Sequence, residues 1–281
     1  MSDEVDSRSA PGTDWSAGLA GRVDVALDAG PGGAARLTRL RCSGALAARP
    51  TPAGLYLLAT AAHPVGDDAS RIDLTLGPGA SGVVRSTGAT LARRGATGGS
   101  STAAVRATLA DRATLCWLVE PGIAAGGASH VATSTVRLAP SARLAWREEV
   151  VLGRHADPCP GSWRSRLEIR RDGAPLLVTD LGLGPGSPAW ASASVLGGAR
   201  VLSSLVLVDP GLPADVWAEL TARAPGAKGA AFALAGPGVE LMAWGEELGA
   251  CRAIVARLLD DVELRWLPRD AVQSGPDARR G

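Results

Sequence analysis

The sequence predicts a mainly β fold: an elongated two-sheet architecture of stacked β-hairpins or β-helix-like coils, with about two α-helices toward the C-terminus. Three observations predict it. Val23, Val25 and Leu27 alternate with Asp24 and Asp28, and Ile72, Leu74 and Leu76 alternate with Asp73 and Thr75, the period-two pattern of strands with one wet face. A unit of apolar strand, turn, small residue and second apolar strand recurs roughly every thirty residues, an interval that marks stacked repeats. Helical spacing is confined to two late segments.

In chain order, residues 1–17 combine Ser, Pro, Gly, Asp and Glu with one apolar anchor, Trp15. They bury too little surface to offset ordering entropy and read as a flexible tail. The repeat follows as IDLTLGPGASGVV from Ile72, VRATLADRATLCWL from Val105, STVRLAPSARLAW from Ser134 and RLEIRRDGAPLLV from Arg166. Its turns centre on Pro78-Gly79, Asp111-Arg112, Pro140-Ser141 and Asp172-Gly173, residue types that supply turn geometry. The small residue after each is Ala80, Ala113, Ala142 and Ala174, and a looser copy starts at Ser192. Hairpins at that interval cannot each bury an apolar face alone, so they stack around a shared core. An ordinary antiparallel sandwich satisfies the same alternation.

The first predicted helix, Leu212 to Arg223, opens with Pro213, carries Asp215 near its start and puts Val216, Trp217 and Leu220 on one face. The second, Glu246 to Leu259, places Leu248, Cys251, Val255 and Leu258 at helical spacing. Residues 270–281 read as a second flexible tail, leaving 18–269 as a single domain.

With 46% apolar and 20% charged residues over 281 positions, the chain has globular composition. A net charge of +1 argues against nucleic acid, which needs clustered positive charge. No apolar run is long enough for a membrane helix, and the opening Ser2, Asp3, Glu4 and Asp6 is unlike a basic-then-apolar leader. Cys42, Cys116, Cys159 and Cys251 lie far apart without paired spacing, as expected of reduced thiols in the cytoplasm.

GxSxG, GxxxxGK[ST], HExxH and CxxC are all missing. The histidines are His63, His130 and His155, and His155 with Cys159 makes an HxxxC pair of soft ligands on a Pro-flanked loop. Asp67-Asp68 follow a turn-forming run from His63 to Gly66. Glu148-Glu149 end the strand that holds Leu144 and Trp146. Adjacent strand residues face opposite sides, so one of these two points inward and needs a partner. Arg154 is the nearest candidate in sequence.

Taken together, several segments resemble the UreD/UreH family of urease accessory proteins. Gly44-Ala45-Leu46 with Arg49-Pro50 is similar to the family's GPL and basic-proline step. His63-Pro64 and Gly66-Asp67 are similar to a shortened proline-glycine loop ending in GGD. RSTGAT, ending in Ala89-Thr90, is similar to its threonine-rich segment. LCWLVEPGI resembles LEWLPQPxI through Trp117, Leu118, Pro121 and Ile123. EEVVLGR carries Glu148 five positions before Gly153-Arg154, and LEIRRDGAPLL and the Leu267–Arg269 LPR complete the order.

The resemblance implies a mainly β fold with two helices, and an accessory protein that is not an enzyme. It also implies binding to apo-urease, UreF and UreG in a hetero-oligomer, with nickel passed to the urease site and GTP hydrolysed on UreG. No tightly bound cofactor is implied, only transient nickel. A transfer protein must hold its ion weakly or the acceptor never receives it. Asp67 and Glu148, with Arg154 fixing its loop, are therefore the candidates for a polar passage near a partner interface. Gly44, Gly66, Ala89, Thr90, Trp117, Pro121 and Gly153 are the family-matched structural positions, and His63, His155 and Cys159 the metal-ligand candidates. Two other readings stand beside it: a β-solenoid hydrolase pairing Asp67 or Asp68 with Glu148, and an interaction domain with no metal role.

Overall fold

The computed structural model describes residues 18–31, 35–154, 157, 159–212, 221–259 and 264–268. Two sheets face one another. The first contains β1 (Ala20–Ala29), β2 (Ala35–Gly44), β5 (Ala69–Leu76), β8 (Ser101–Leu109), β11 (Ser129–Leu138), β13 (Ser162–Arg171) and β14 (Ala174–Leu183), in the order β14-β13-β11-β8-β5-β1-β2. From β1 to β13 neighbours run parallel, and β2 and β14 close the two edges antiparallel.

The second sheet runs from β3 (Leu46–Thr51) and β4 (Gly54–Ala59) through β6 (Ser81–Ser86), β9 (Thr114–Trp117) and β12 (Arg143–Leu152). It continues through β15 (Val201–Val208) and β18 (Gly238–Gly245) to β17 (Ala227–Ala233) and β16 (Thr221–Ala224), and the short β7 (Thr90–Ala92) and β10 (Gly122–Ala124) join it beside β12.

The thirty-residue repeat is real, but three of its four copies are not hairpins. β5 and β6, β8 and β9, and β11 and β12 are each divided between the two sheets, so the turn is an arch that carries the chain across the core. Successive arches bond to one another: the Thr114 amide donates to the Ala80 carbonyl and the Arg143 amide to the Ala113 carbonyl, both at 2.8 Å. The repeated alanine sits at that stacked corner, and Ala80, Ala113 and Ala142 are fully buried. A larger side chain there would push one coil off the next. The fourth copy is a true hairpin, β13 pairing antiparallel with β14. Asp172 and Gly173 both take positive φ, 49° and 77°, which a tight two-residue hairpin turn demands. Its Ala174 is exposed, because among the described residues β14 is the edge strand of its sheet.

One core lies between the sheets, built from inward rows such as Val25, Leu74, Ala107, Val136 and Ile169 against Trp117, Leu144 and Trp146. A second forms where α1 (Leu248–Leu258) covers the outer face of the second sheet, burying Cys251, Ile254, Val255 and Leu258 against Leu205, Leu207 and Leu241. β15 is covered on both faces and is buried throughout, which is why it reads as an unbroken apolar run rather than an alternating one.

α1 is the second predicted helix. The first is corrected where it can be seen: its last residues belong to β16, which pairs with β17 across the Pro225-Gly226 turn, Gly226 holding φ 76°. Residues 213–220 lie outside the described residues, as do both predicted tails. No helix among the described residues is long and apolar enough to cross a membrane.

Candidate functional site

A cavity of ≈ 370 Å³ opens between the sheets, walled largely by apolar side chains such as Leu57, Ile72, Val105 and Trp117. Polar groups enter it at two places. On one side His63 Nδ1 meets Asp68 Oδ2 at 3.0 Å and His63 Nε2 meets Ser70 Oγ at 2.5 Å. Asp68 is 4% exposed, and its carboxylate also accepts the amides of Val65 at 2.8 Å and Leu19 at 2.6 Å. Gly66 makes that turn with φ 52°, its Cα face against Gly95, a conformation and a proximity that exclude a side chain.

On the other side Glu148 projects inward from β12. Its Oε1 accepts from Trp146 Nε1 at 3.0 Å and Ser134 Oγ at 3.2 Å, and its Oε2 from Ser165 Oγ at 2.8 Å. The Trp146 indole is itself fixed by stacking on Trp117, centroids 4.8 Å apart and rings 9° from parallel.

A second histidine, His130, also lines the cavity. It is 2% exposed, its Nδ1 meets Ser101 Oγ at 2.8 Å, and its ring lies 4.2 Å from that of Trp163. Burial, with a smaller contribution from the charge of His63, pushes its pKa down to about 4 from 6.5. The imidazole therefore stays neutral in the fold over a range where the unfolded chain takes up a proton. Stability is complete above pH 6.5 and is lost as pH falls toward 4, by about 3 kcal/mol. Urea midpoints measured at about pH 7.5 and about pH 5 are expected to differ by less in His130→Gln than in the wild type; an equal pH dependence would assign the acid sensitivity to other groups.

Of the residues singled out by sequence, Glu148, His63, Ala89, Thr90 and Trp117 line this cavity. Asp67 does not: it is exposed, with Oδ2 accepting from Thr97 Oγ1 at 2.6 Å, and the acid beside the cavity is its neighbour Asp68. Arg154 does not pair with the Glu148-Glu149 couple. It is exposed and bonds Asp157 at 3.0 Å, whose carboxylate also accepts the amides of Arg154 and Gly126. Those hydrogen bonds, that of the Arg154 side chain foremost, hold the Asp157 carboxyl well below the usual carboxylate range. Arg154 thus fixes its own loop and, though near both glutamates in sequence, pairs with neither.

Gly153 is buried beside it with φ 77° and donates its amide to Ala124. Gly44 turns the chain from the first sheet into the second at φ 66°, where a Cβ would strike the Ala20 carbonyl. Pro121 is buried and its carbonyl accepts from Thr90. Cys159 is exposed, and His155 lies outside the described residues.

The partner that Glu149 needed comes from far away in sequence. Arg252, on α1, donates from Nε to Oε1 at 2.9 Å, and Ser203 Oγ donates to the same oxygen at 3.1 Å. Arg147 Nε stands 3.7 Å from Oε2, and Arg252 reaches on to Glu120 at 3.1 Å. Hydrogen bonding to Glu149 pushes Arg252 above the ordinary guanidinium range, whereas burial pulls Arg147 below it; Arg252 is therefore the principal counter-charge. Ser70, Ser134, Ser165 and Arg252 were missed by sequence reasoning. The available signal was the polar residue at an inward position of an alternating strand, as at Ser134 and Ser165.

Among the described residues no group of three or more His, Cys, Asp or Glu converges to hold a metal ion. The Cys251 thiol, on the buried face of α1, is pushed up to about 11 by burial. Asp68 and Glu148 are each held in one orientation by three neighbouring donors or rings, short of the roughly four acceptor sites that a carboxylate offers.

Fold and site together define a coil-like β scaffold with an internal, polar-studded cavity. The family model described as UreD urease accessory protein matches residues 19–274, and the chain belongs to that family. It is 35% identical over 255 residues to the urease accessory protein UreD of Parafrankia sp., covering 82% of this chain and 84% of the relative. It is 34% identical over 278 residues to that of Frankia alni, covering 85% and 91%. A shorter match, 42% over 147 residues, is to the urease accessory protein UreD 2 of Saccharopolyspora erythraea and spans 52% of each chain, about half that relative's length. The protein is an accessory factor of urease maturation and not an enzyme.

Proposed function

We propose that the chain acts in the cytoplasm in a hetero-oligomer with apo-urease, UreF and UreG, and that its inter-sheet cavity is part of the route by which nickel reaches the urease site. GTP hydrolysis belongs to UreG in this reading, and nickel is transient cargo rather than a resident cofactor. The observation that carries it is the cavity itself: an apolar-walled space into which the Glu148 carboxylate and the His63 imidazole are held. One carboxylate and one imidazole attract a divalent cation without completing a coordination shell, and weak, incomplete ligation is what permits onward release. In this reading Asp68, acting through His63, takes the part that was expected of Asp67.

The test is nickel-dependent activation of apo-urease with the cognate accessory proteins. Glu148→Ala is expected to lower the activation rate at least about tenfold, a loss of about 1.4 kcal/mol or more in the limiting step, while co-purification with apo-urease is retained. Wild-type activation rates in Glu148→Ala would sink the passage reading.

A further inference from the structure

The outer face of the first sheet is a surface that the cavity reading leaves unused. β1, β5, β8, β11 and β13 run parallel there. Parallel sheets are ordinarily covered on both faces; here the inner face packs the core, and α1, the helix among the described residues, lies on the other sheet.

The outward positions are rich in arginine. Across the strands Arg22 stands directly opposite Arg71, and Arg137 directly opposite Arg170. Like charges in such cross-strand pairs disfavour the sheet, and Asp73, paired with both Arg22 and Arg71, and Glu168, paired with Arg170, offset part of that cost. The carboxylates on this face are already engaged: Asp24 by Arg39, Asp73 by Arg71, Glu168 by Arg170 and Asp180 by Arg164. Arg106 and Arg137, exposed on the central strands β8 and β11, form no ion pair within 4.0 Å among the described residues. Beside them stand the short side chains of Thr108 and Thr135, which leave the guanidinium groups open to an approaching surface.

We infer that this arginine-rich face of the parallel sheet is a docking surface for an acidic face of a folded partner protein. The inference rests on the assembly reading above and assigns it a surface. Arg22 and Arg71, and Arg137 and Arg170, stand on strands about 4.8 Å apart, Arg106 is diagonal to Arg137 at about 7–8 Å, and their planar forks match carboxylates two oxygens at a time. The interleaved Asp24, Asp73, Glu168 and Asp180 favour a partner of mixed charge with acid in excess, and disfavour a continuous polyanion such as nucleic acid or an anionic membrane, which those carboxylates repel.

The experiment is biolayer interferometry of the full chain against apo-urease with its cognate accessory proteins, at low and high ionic strength. R106E/R137E changes two side chains that touch neither the cavity nor the core. It is expected to weaken binding about tenfold or more at low ionic strength, with a shallower salt dependence than the wild type and only a small fall in the thermal unfolding midpoint, since the attraction of Arg106 for Asp73 and of Arg137 for Glu168 is an exposed one. R106K/R137K keeps the charge and is expected to restore most of the affinity.

Wild-type affinity in R106E/R137E, or salt-independent binding by the wild type, overturns the docking surface while leaving the assembly reading intact. Failure of the wild type to bind any of these proteins removes both. Tighter wild-type binding to duplex DNA or to phosphatidylserine vesicles than to the proteins overturns the inference in favour of a polyanion.

Discussion

Glu149→Ala is expected to lower unfolding free energy by about 3–5 kcal/mol, because it leaves two guanidinium groups without their shared carboxylate in a buried site. Glu149 has a fully covered side chain, and Arg147 and Arg252 are 5% and 10% exposed. Arg252 also ties α1 to the second sheet, so the loss should fall first on the helix. Near-ultraviolet circular dichroism or amide exchange at Leu248–Leu258 is expected to report the change before global unfolding does. The double variant Glu149→Met with Arg252→Met is expected to cost less than Glu149→Ala alone, since an apolar pair of similar volume removes the desolvation penalties of both and leaves only Arg147, which keeps Glu120, without Glu149. Urea denaturation of the two variants checks the order. A double variant less stable than the single one would show that the charge network itself, and not merely its completeness, stabilises the fold.

That network marks where the sequence stops being legible. Period-two alternation correctly predicted that Glu148 and Glu149 face opposite sides of β12, since strand geometry is local. It could not supply their partners: Arg252 lies 103 residues from Glu149, while Arg154, the nearest arginine downstream, bonds Asp157 three residues on. The same division separates the arches from the hairpin. Pro78-Gly79, Asp111-Arg112, Pro140-Ser141 and Asp172-Gly173 all announce a turn, because turn chemistry is local. Whether the second strand folds back on the first or crosses to the other sheet is decided by non-local pairing, β6 with β4 and β9 against β13 with β14. A buried alanine after the turn accompanies the arch and an exposed one the hairpin, a difference in burial and not in residue type. Asp67 and Asp68 were inseparable for a related reason. Both suit a turn, and only the folded positions of His63 and the Leu19 amide choose Asp68 as the buried acid.

Trp146→Ala is expected to be as damaging, at about 3–5 kcal/mol, through the cavity that an absent indole leaves in a close-packed core. Trp146 is 1% exposed and stacked on Trp117, so the remaining side chains have little freedom to close over the gap. Trp146→Phe separates its two contributions. The ring remains against Trp117 while the donor to Glu148 Oε1 is lost, and the expected cost falls to about 1–2 kcal/mol. Glu148 would then be held by Ser134 and Ser165 alone. If the carboxylate must be held in one orientation to pass a cation across the cavity, Trp146→Phe should slow nickel-dependent activation by more than its small loss of stability explains. Activation that merely tracks the urea midpoint across Trp146→Phe and Trp146→Ala would show that the indole serves the fold and not the route.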